Sequence, residues 1–162
     1  MAEARTEAET AAGPRTAEDG YRGPQVCAVV GITYRQLDYW ARTNLVRPSV
    51  MDAQGSGTQR LYSFRDLLEL KVIKQMLDAG ISLQSARKAV ESLRGYKKDL
   101  ASARIVIQGS SVVLAESEEQ LLDLLRGGQG VLCMVLDVEP LQQTITEAVQ
   151  LTFDTGSRAA AR

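Results

Sequence analysis

The stretch Gly31-Ile-Thr-Tyr-Arg-Gln-Leu-Asp-Tyr-Trp-Ala-Arg-Thr-Asn-Leu-Val-Arg-Pro48 decides the reading of this chain. Thr33-Tyr-Arg-Gln36 has the Thr-x-x-Gln spacing of a capping box, in which the cap and the third helical residue satisfy each other's free amides. That spacing predicts a helix from about Tyr34 to Thr43. Leu37, Trp40 and Ala41 share one face of it, while Arg35, Gln36, Tyr39, Arg42 and Thr43 fall largely around the other. Just upstream, Pro24 suits a first helical turn and Gly31 a helix end, with Val26, Val29 and Val30 between them as an apolar stripe. Two short helices joined at a glycine predict a helix-turn-helix whose second helix offers an aromatic and basic outer face.

After Pro48 a ribbon is predicted, with its turn at Gln54-Gly-Ser-Gly57 and a returning strand over residues 59–62. Alternation along that strand puts Arg60 and Tyr62 on one outward face and Leu61 on the other. Ser63 caps a third helix with Leu67, Leu70, Ile73 and Leu77 at helical spacing, and Gly80 ends it. Ser82 caps a fourth, with Leu83, Ala86, Val90 and Leu93 inward.

The pattern changes after Gly95. Residues 104–108 and 112–114 read as two strands around Gly109-Ser110, a hairpin signature. Ser117-Glu-Glu-Gln120 repeats the capping-box spacing ahead of Leu121, Leu122, Leu124 and Leu125, with Gly127-Gly128 closing that helix. The unbroken apolar run at 131–136 predicts a strand buried on both faces. Pro140 is placed to start a last helix carrying Leu141, Ile145, Val149 and Leu151. The expected fold is α+β. A disordered tail covers 1–20, and an N-terminal winged helix-turn-helix covers 21–95 and binds DNA. A small α/β C-terminal domain for dimerisation or effector sensing covers 96–155, and a second tail covers 156–162.

Charge points the same way. The chain's net charge is −1, yet residues 21–98 hold 13 Lys and Arg against 6 Asp and Glu. A basic centre between acidic flanks suits a polyanion-binding module. Other classes recede. Histidine is absent, so a nucleophile–base pair lacks its usual base, and no enzyme is expected. Cys27 and Cys133 stand alone, which implies neither a disulfide framework nor a metal or iron–sulfur sensor. Both read as small buried hydrophobes. No metal and no cofactor are expected. No apolar run reaches about 18 residues, and residues 1–20 lack a basic start and an apolar core, so neither a membrane span nor a secretory leader is expected. The compartment implied is the cytoplasm.

Residues 21–93 resemble the MerR family of transcriptional regulators, in its actinobacterial type. The resemblance rests on an ordered set: the helix-turn-helix, Leu45-Val46-x-Pro48, Arg60-x-Tyr62-Ser63, and Ala79-Gly80-Ile81-Ser82-Leu83. It implies a homodimer on palindromic, double-stranded promoter DNA, which it bends and untwists, with RNA polymerase as a further partner and the effector unknown. It implies a recognition helix carrying Thr33, Tyr34, Arg35, Gln36, Tyr39 and Arg42, a first wing carrying Arg60 and Tyr62, and a second wing at Gly80-Ile81-Ser82. The alternative function is an architectural or recombination accessory protein that bends DNA with the same domain. The chain departs from the family pattern at Asp38-Tyr39-Trp40, where Arg-Tyr-Tyr is common. That departure sets a phosphate-repelling carboxylate on the groove helix. The family's long dimerising helix is not evident after Gly95, so the C-terminal module is expected to hold the dimer.

Overall fold

The first strand among the described residues, Tyr21–Arg22 (β1), pairs antiparallel with Leu61–Tyr62 (β2), Tyr21 lying opposite Tyr62. This pairing appears in a computed structural model that describes residues 20–55, 59–96, 99–127 and 133–160. It differs from the ribbon expected between the segment after Pro48 and residues 59–62. That segment contributes one bridge, Met51 to Leu61. The expected turn at 54–57 lies partly outside the described residues, as does the expected tail over 1–20, of which Gly20 alone is described. The Leu61 carbonyl accepts from the Val50 and Met51 amides and the Leu61 amide donates to the Met51 carbonyl, while β1 pairs along the other edge, so β2 sits between Met51 and β1.

Between the two strands run α1 (Gly23–Val30) and α2 (Tyr34–Arg42). Gly31 ends α1 in the left-handed conformation, φ 82°, which glycine adopts without a Cβ penalty; its amide returns to the Cys27 carbonyl. Two residues later Thr33 caps α2. The chain turns within three residues, and Val26, Val30, Leu37 and Trp40 meet beneath the turn.

Ser63 caps α3 (Phe64–Asp78), and Ser82 caps α4 (Leu83–Gly95). Asp66 does more than cap. Its Oδ2 accepts from the Ser63 amide at 2.9 Å and from the Ser49 amide and hydroxyl, both at 2.7 Å, tying the segment after Pro48 to the start of α3. Arg94 of α4 reaches the buried Glu69 of α3 at 2.9 Å and donates to the Leu45 carbonyl at 2.8 Å. The segment that follows α2 is thus held from both sides.

Beyond a single 3-10 turn at Leu100–Ser102 come β3 (Arg104–Gln108), β4 (Ser111–Ala115), α5 (Glu118–Gly127), β5 (Cys133–Asp137) and α6 (Val138–Ala160). The sheet order is β4-β3-β5, antiparallel throughout, and Gln108 faces Ser111 across the two-residue turn. Ile105, Ile107 and Leu136 join Val26, Ile73, Leu93, Leu141 and Ile145 in one continuous apolar cluster. α6 packs on α1 and α3, and α4 packs on β4.

Three expectations are corrected here. β5 is an edge strand, and Val135 is 38% exposed, so the run at 131–136 is not buried on both faces. Only its inward row, Leu136 with half-buried Met134, meets the core; residues 131 and 132 and the Cys133 side chain lie outside the described residues. The last helix begins at Val138, two residues before Pro140, because proline is tolerated anywhere in a first turn whose amides have no intrahelical acceptor. It continues to Ala160, across positions expected to form a tail, so a long helix is present after all, at the far end of the C-terminal unit.

Candidate nucleic-acid interface

α2 owes its position to its cap and its inner face. The Gln36 amide donates to Thr33 Oγ1 at 3.1 Å, and the Thr33 amide donates to Gln36 Oε1 at 3.0 Å. Leu37, Trp40 and Ala41 are buried, which turns the remaining side chains outward. Tyr34 and Tyr39 are 62% and 56% exposed, and Thr33, Arg35, Gln36 and Arg42 are exposed beside them. Six of the eight expected DNA-contacting residues therefore lie on one accessible surface. Two of them, Thr33 and Gln36, also hold the cap, which engages Gln36 Oε1 and leaves its amide hydrogens for other partners.

The other two are placed differently. Tyr62, expected to face outward beside Arg60, is 0% exposed. It stands opposite Tyr21 and immediately before the α3 cap, so its ring enters the core that β1, β2 and α3 share. Burial pushes its phenol up to about 12, so it stays a neutral hydroxyl across the physiological range. Its Oη has no hydrogen-bond partner among the described residues.

Arg60 turns back toward α2. Its Nη1 donates to Asp38 Oδ1 at 2.6 Å, and its side chain is only 20% exposed. The other oxygen of Asp38 meets Arg42 Nη2 at 2.7 Å, one helical turn on. Arg60 Nε lies 3.7 Å from Asp52 Oδ1, and Asp52 Oδ2 accepts from Arg47 Nη2 at 2.5 Å. Charges therefore alternate from α2 to the segment before β2: Arg42, Asp38, Arg60, Asp52, Arg47. The hydrogen bond from Arg60 holds the Asp38 carboxyl below the usual carboxylate range, and the one from Arg47 does the same for Asp52. Both stay ionised.

Asp38, Arg60 and Tyr62 line a cleft of about 500 Å³ between the start of α1, α2 and the segment before β2, together with Tyr34, Gly23 and Gln59. Arg47 and Asp52 were missed in the sequence. The Asp38–Arg42 pair was open to view, since i and i+4 residues face each other on a helix. Arg60 is 22 residues from Asp38, and no local period announces that pair. Among the described residues, no three His, Cys, Asp or Glu side chains converge as metal ligands would.

Comparison with known proteins agrees with this geometry. Residues 21–93 match the model of the MerR HTH family regulatory protein. HTH-type transcriptional regulators of Mycobacterium bovis and of two Mycobacterium tuberculosis strains are 57% identical over 113 residues, which is 69% of this chain and 50% of each relative. The chain spans about half the length of the curated relatives it matches. By this domain the chain belongs to the MerR family.

Proposed function

We propose that the protein is a sequence-specific, DNA-binding transcriptional regulator, acting as a homodimer on palindromic promoter DNA and distorting it. The observation that carries this reading is the exposed face of α2, where Tyr34, Arg35, Gln36, Tyr39 and Arg42 stand together on a rigidly capped helix. Arginine bidentate to guanine and glutamine to adenine are standard major-groove pairings. Arg35 and Gln36 belong to the first turn, where a groove helix meets base edges. Lys and Arg at phosphates supply affinity and register. Supporting this, the matched relatives carry the name transcriptional regulator.

On this reading residues 21–95 form a winged helix-turn-helix, with β1, β2 and the loop before β2 as the wing. Residues 96–155 form the domain that dimerises or senses an effector. RNA polymerase is the further partner, the compartment is the cytoplasm, and the protein's work is not enzymatic. Among the described residues no helix is long and apolar enough to cross a membrane.

Footprinting of the full chain on selected DNA tests the reading. Protection of one palindrome between spaced promoter elements, with reactive bases at its centre, is the expected result. Long cooperative arrays without a fixed site would favour an architectural role instead. Arg35→Ala is expected to relax preference at one base pair by about 1–3 kcal/mol, read from binding-site selection.

A further inference from the structure

Asp38 is the odd residue of this surface. It puts a carboxylate on a helix offered to a polyanion. It is not idle, because each of its oxygens holds a different arginine, Arg60 at 2.6 Å and Arg42 at 2.7 Å. Three cations and two carboxylates form the alternating chain, so a surface that would present three positive charges presents one. The resting arrangement also leaves Arg60 under-satisfied. Its Nε is out of solvent and has no hydrogen-bond acceptor among the described residues; Asp52 Oδ1 stands 3.7 Å away. A guanidinium held by one nitrogen can do better against a phosphate, which accepts two parallel bonds.

We propose that Asp38 is a specificity-determining residue of the DNA interface, withholding Arg60 and Arg42 from the phosphates of indifferent DNA. This rests on the DNA-binding reading above. Indifferent DNA must take the two arginines from a carboxylate already in place. A preferred sequence offers the carboxylate itself a donor in exchange, a cytosine amine in the groove, and that bond offsets the loss of the Asp38 pairs only there. The carboxylate thus lowers affinity for all DNA and lowers it most where base contacts are missing. Specificity, a difference between affinities, rises as the weaker of the two falls.

The test compares wild type with Asp38→Asn on two duplexes of equal length, one selected by the wild-type protein and one scrambled, by fluorescence anisotropy across a salt series. Asp38→Asn is expected to bind the scrambled duplex at least five-fold more tightly at about 0.1 M salt and to steepen its salt slope by about one to two, since each added phosphate contact adds about 0.9. The selected duplex should gain less, so the ratio narrows. Arg60→Ala in the Asp38→Asn background should remove most of the gain, and Asp38→Glu, which keeps the charge, should stay near wild type. Glu91→Gln removes an exposed charge elsewhere, on α4, and controls for net charge. Thermal unfolding checks that each variant is folded; should Asp38→Asn not fold, Asp52→Asn frees Arg60 from its other side and should move the scrambled duplex in the same direction. Scrambled-duplex affinity and slope unchanged from wild type would overturn the proposal. So would equal gains on both duplexes, or a gain matched by Glu91→Gln. Failure of the wild type to bind any duplex in a salt-dependent way would instead overturn the DNA-binding reading itself.

Discussion

α2 and α5 are close in length and open on the same chemistry, yet the fold uses them differently. Thr33 and Gln36 close reciprocal bonds; at Ser117-x-x-Gln120 the Gln120 amide donates to Ser117 Oγ at 3.2 Å, while Gln120 Oε1 accepts from the Glu116 amide, one residue before the cap, at 2.8 Å. α2 then buries Leu37, Trp40 and Ala41. α5 has no fully buried side chain among the described residues, and Leu122 and Leu125 stand largely in solvent. α2 exposes arginines and tyrosines, whereas α5 exposes Glu118, Glu119 and Asp123. A cap starts a helix; the packed face decides whether that helix can hold side chains rigidly enough to recognise anything.

The largest expected effect breaks the comparison at its packed member. Trp40→Ala should lower unfolding stability by about 3–5 kcal/mol, because a large buried side chain leaves a cavity. Leu122→Ala, at a position 49% exposed, should change it by no more than about 0.5 kcal/mol. Urea unfolding of both variants measures the pair, and equal losses would mean that α5 is packed as firmly as α2.

The caps come next. Thr33→Ala should cost about 1 kcal/mol, and Ser117→Ala about 0.5 kcal/mol, the low end for lost caps. Hydrogen exchange sharpens the distinction. Loss of Ser117 should speed exchange within α5 alone, whereas loss of Thr33 should be felt in α1 as well, through the shared core of Val26, Val30 and Leu37.

The smallest effect is a matter of pH. Asp38 and Asp52 have folded-state values below the ordinary carboxylate range, so the stability they contribute is present above that range. It is lost as pH falls through the depressed values. Glu69 has the opposite sign. Burial raises its value, so the folded state favours its protonated form, and Arg94 offsets part of that. Replacing Asp52 with Asn should therefore lower stability slightly in the neutral region and leave the acid end nearly unchanged, which flattens the acid limb of stability against pH. An acid limb as steep as that of the wild type would remove Asp52 from the account.

Much of α2 was legible because its determinants are local. The capping box, the glycine that ends α1 and the three-residue turn act over a few positions, and a 3.6-residue period sorts Leu37, Trp40 and Ala41 from Tyr34, Arg35 and Tyr39. The β3–β4 hairpin was legible for the same reason, its turn lying within two residues. Tyr62 misled because alternation divides a strand into two faces without saying which one is inward. The expected neighbour of β2 meets it at one bridge, Met51 to Leu61; its ladder partner β1 was missed because it holds two residues and bears no pattern of its own.

What this sequence determined by itself is where most helices start and stop and which faces are apolar, because each follows from contacts among residues a few positions apart. Tertiary structure alone decided that Tyr62 lies in the core, that β5 is an exposed edge, that α6 closes over α1 and α3, and that Arg60 answers to Asp38. These are meetings between distant segments. They depend on how separate apolar faces share one interior and on which charges are then left side by side, and no period along the chain encodes either.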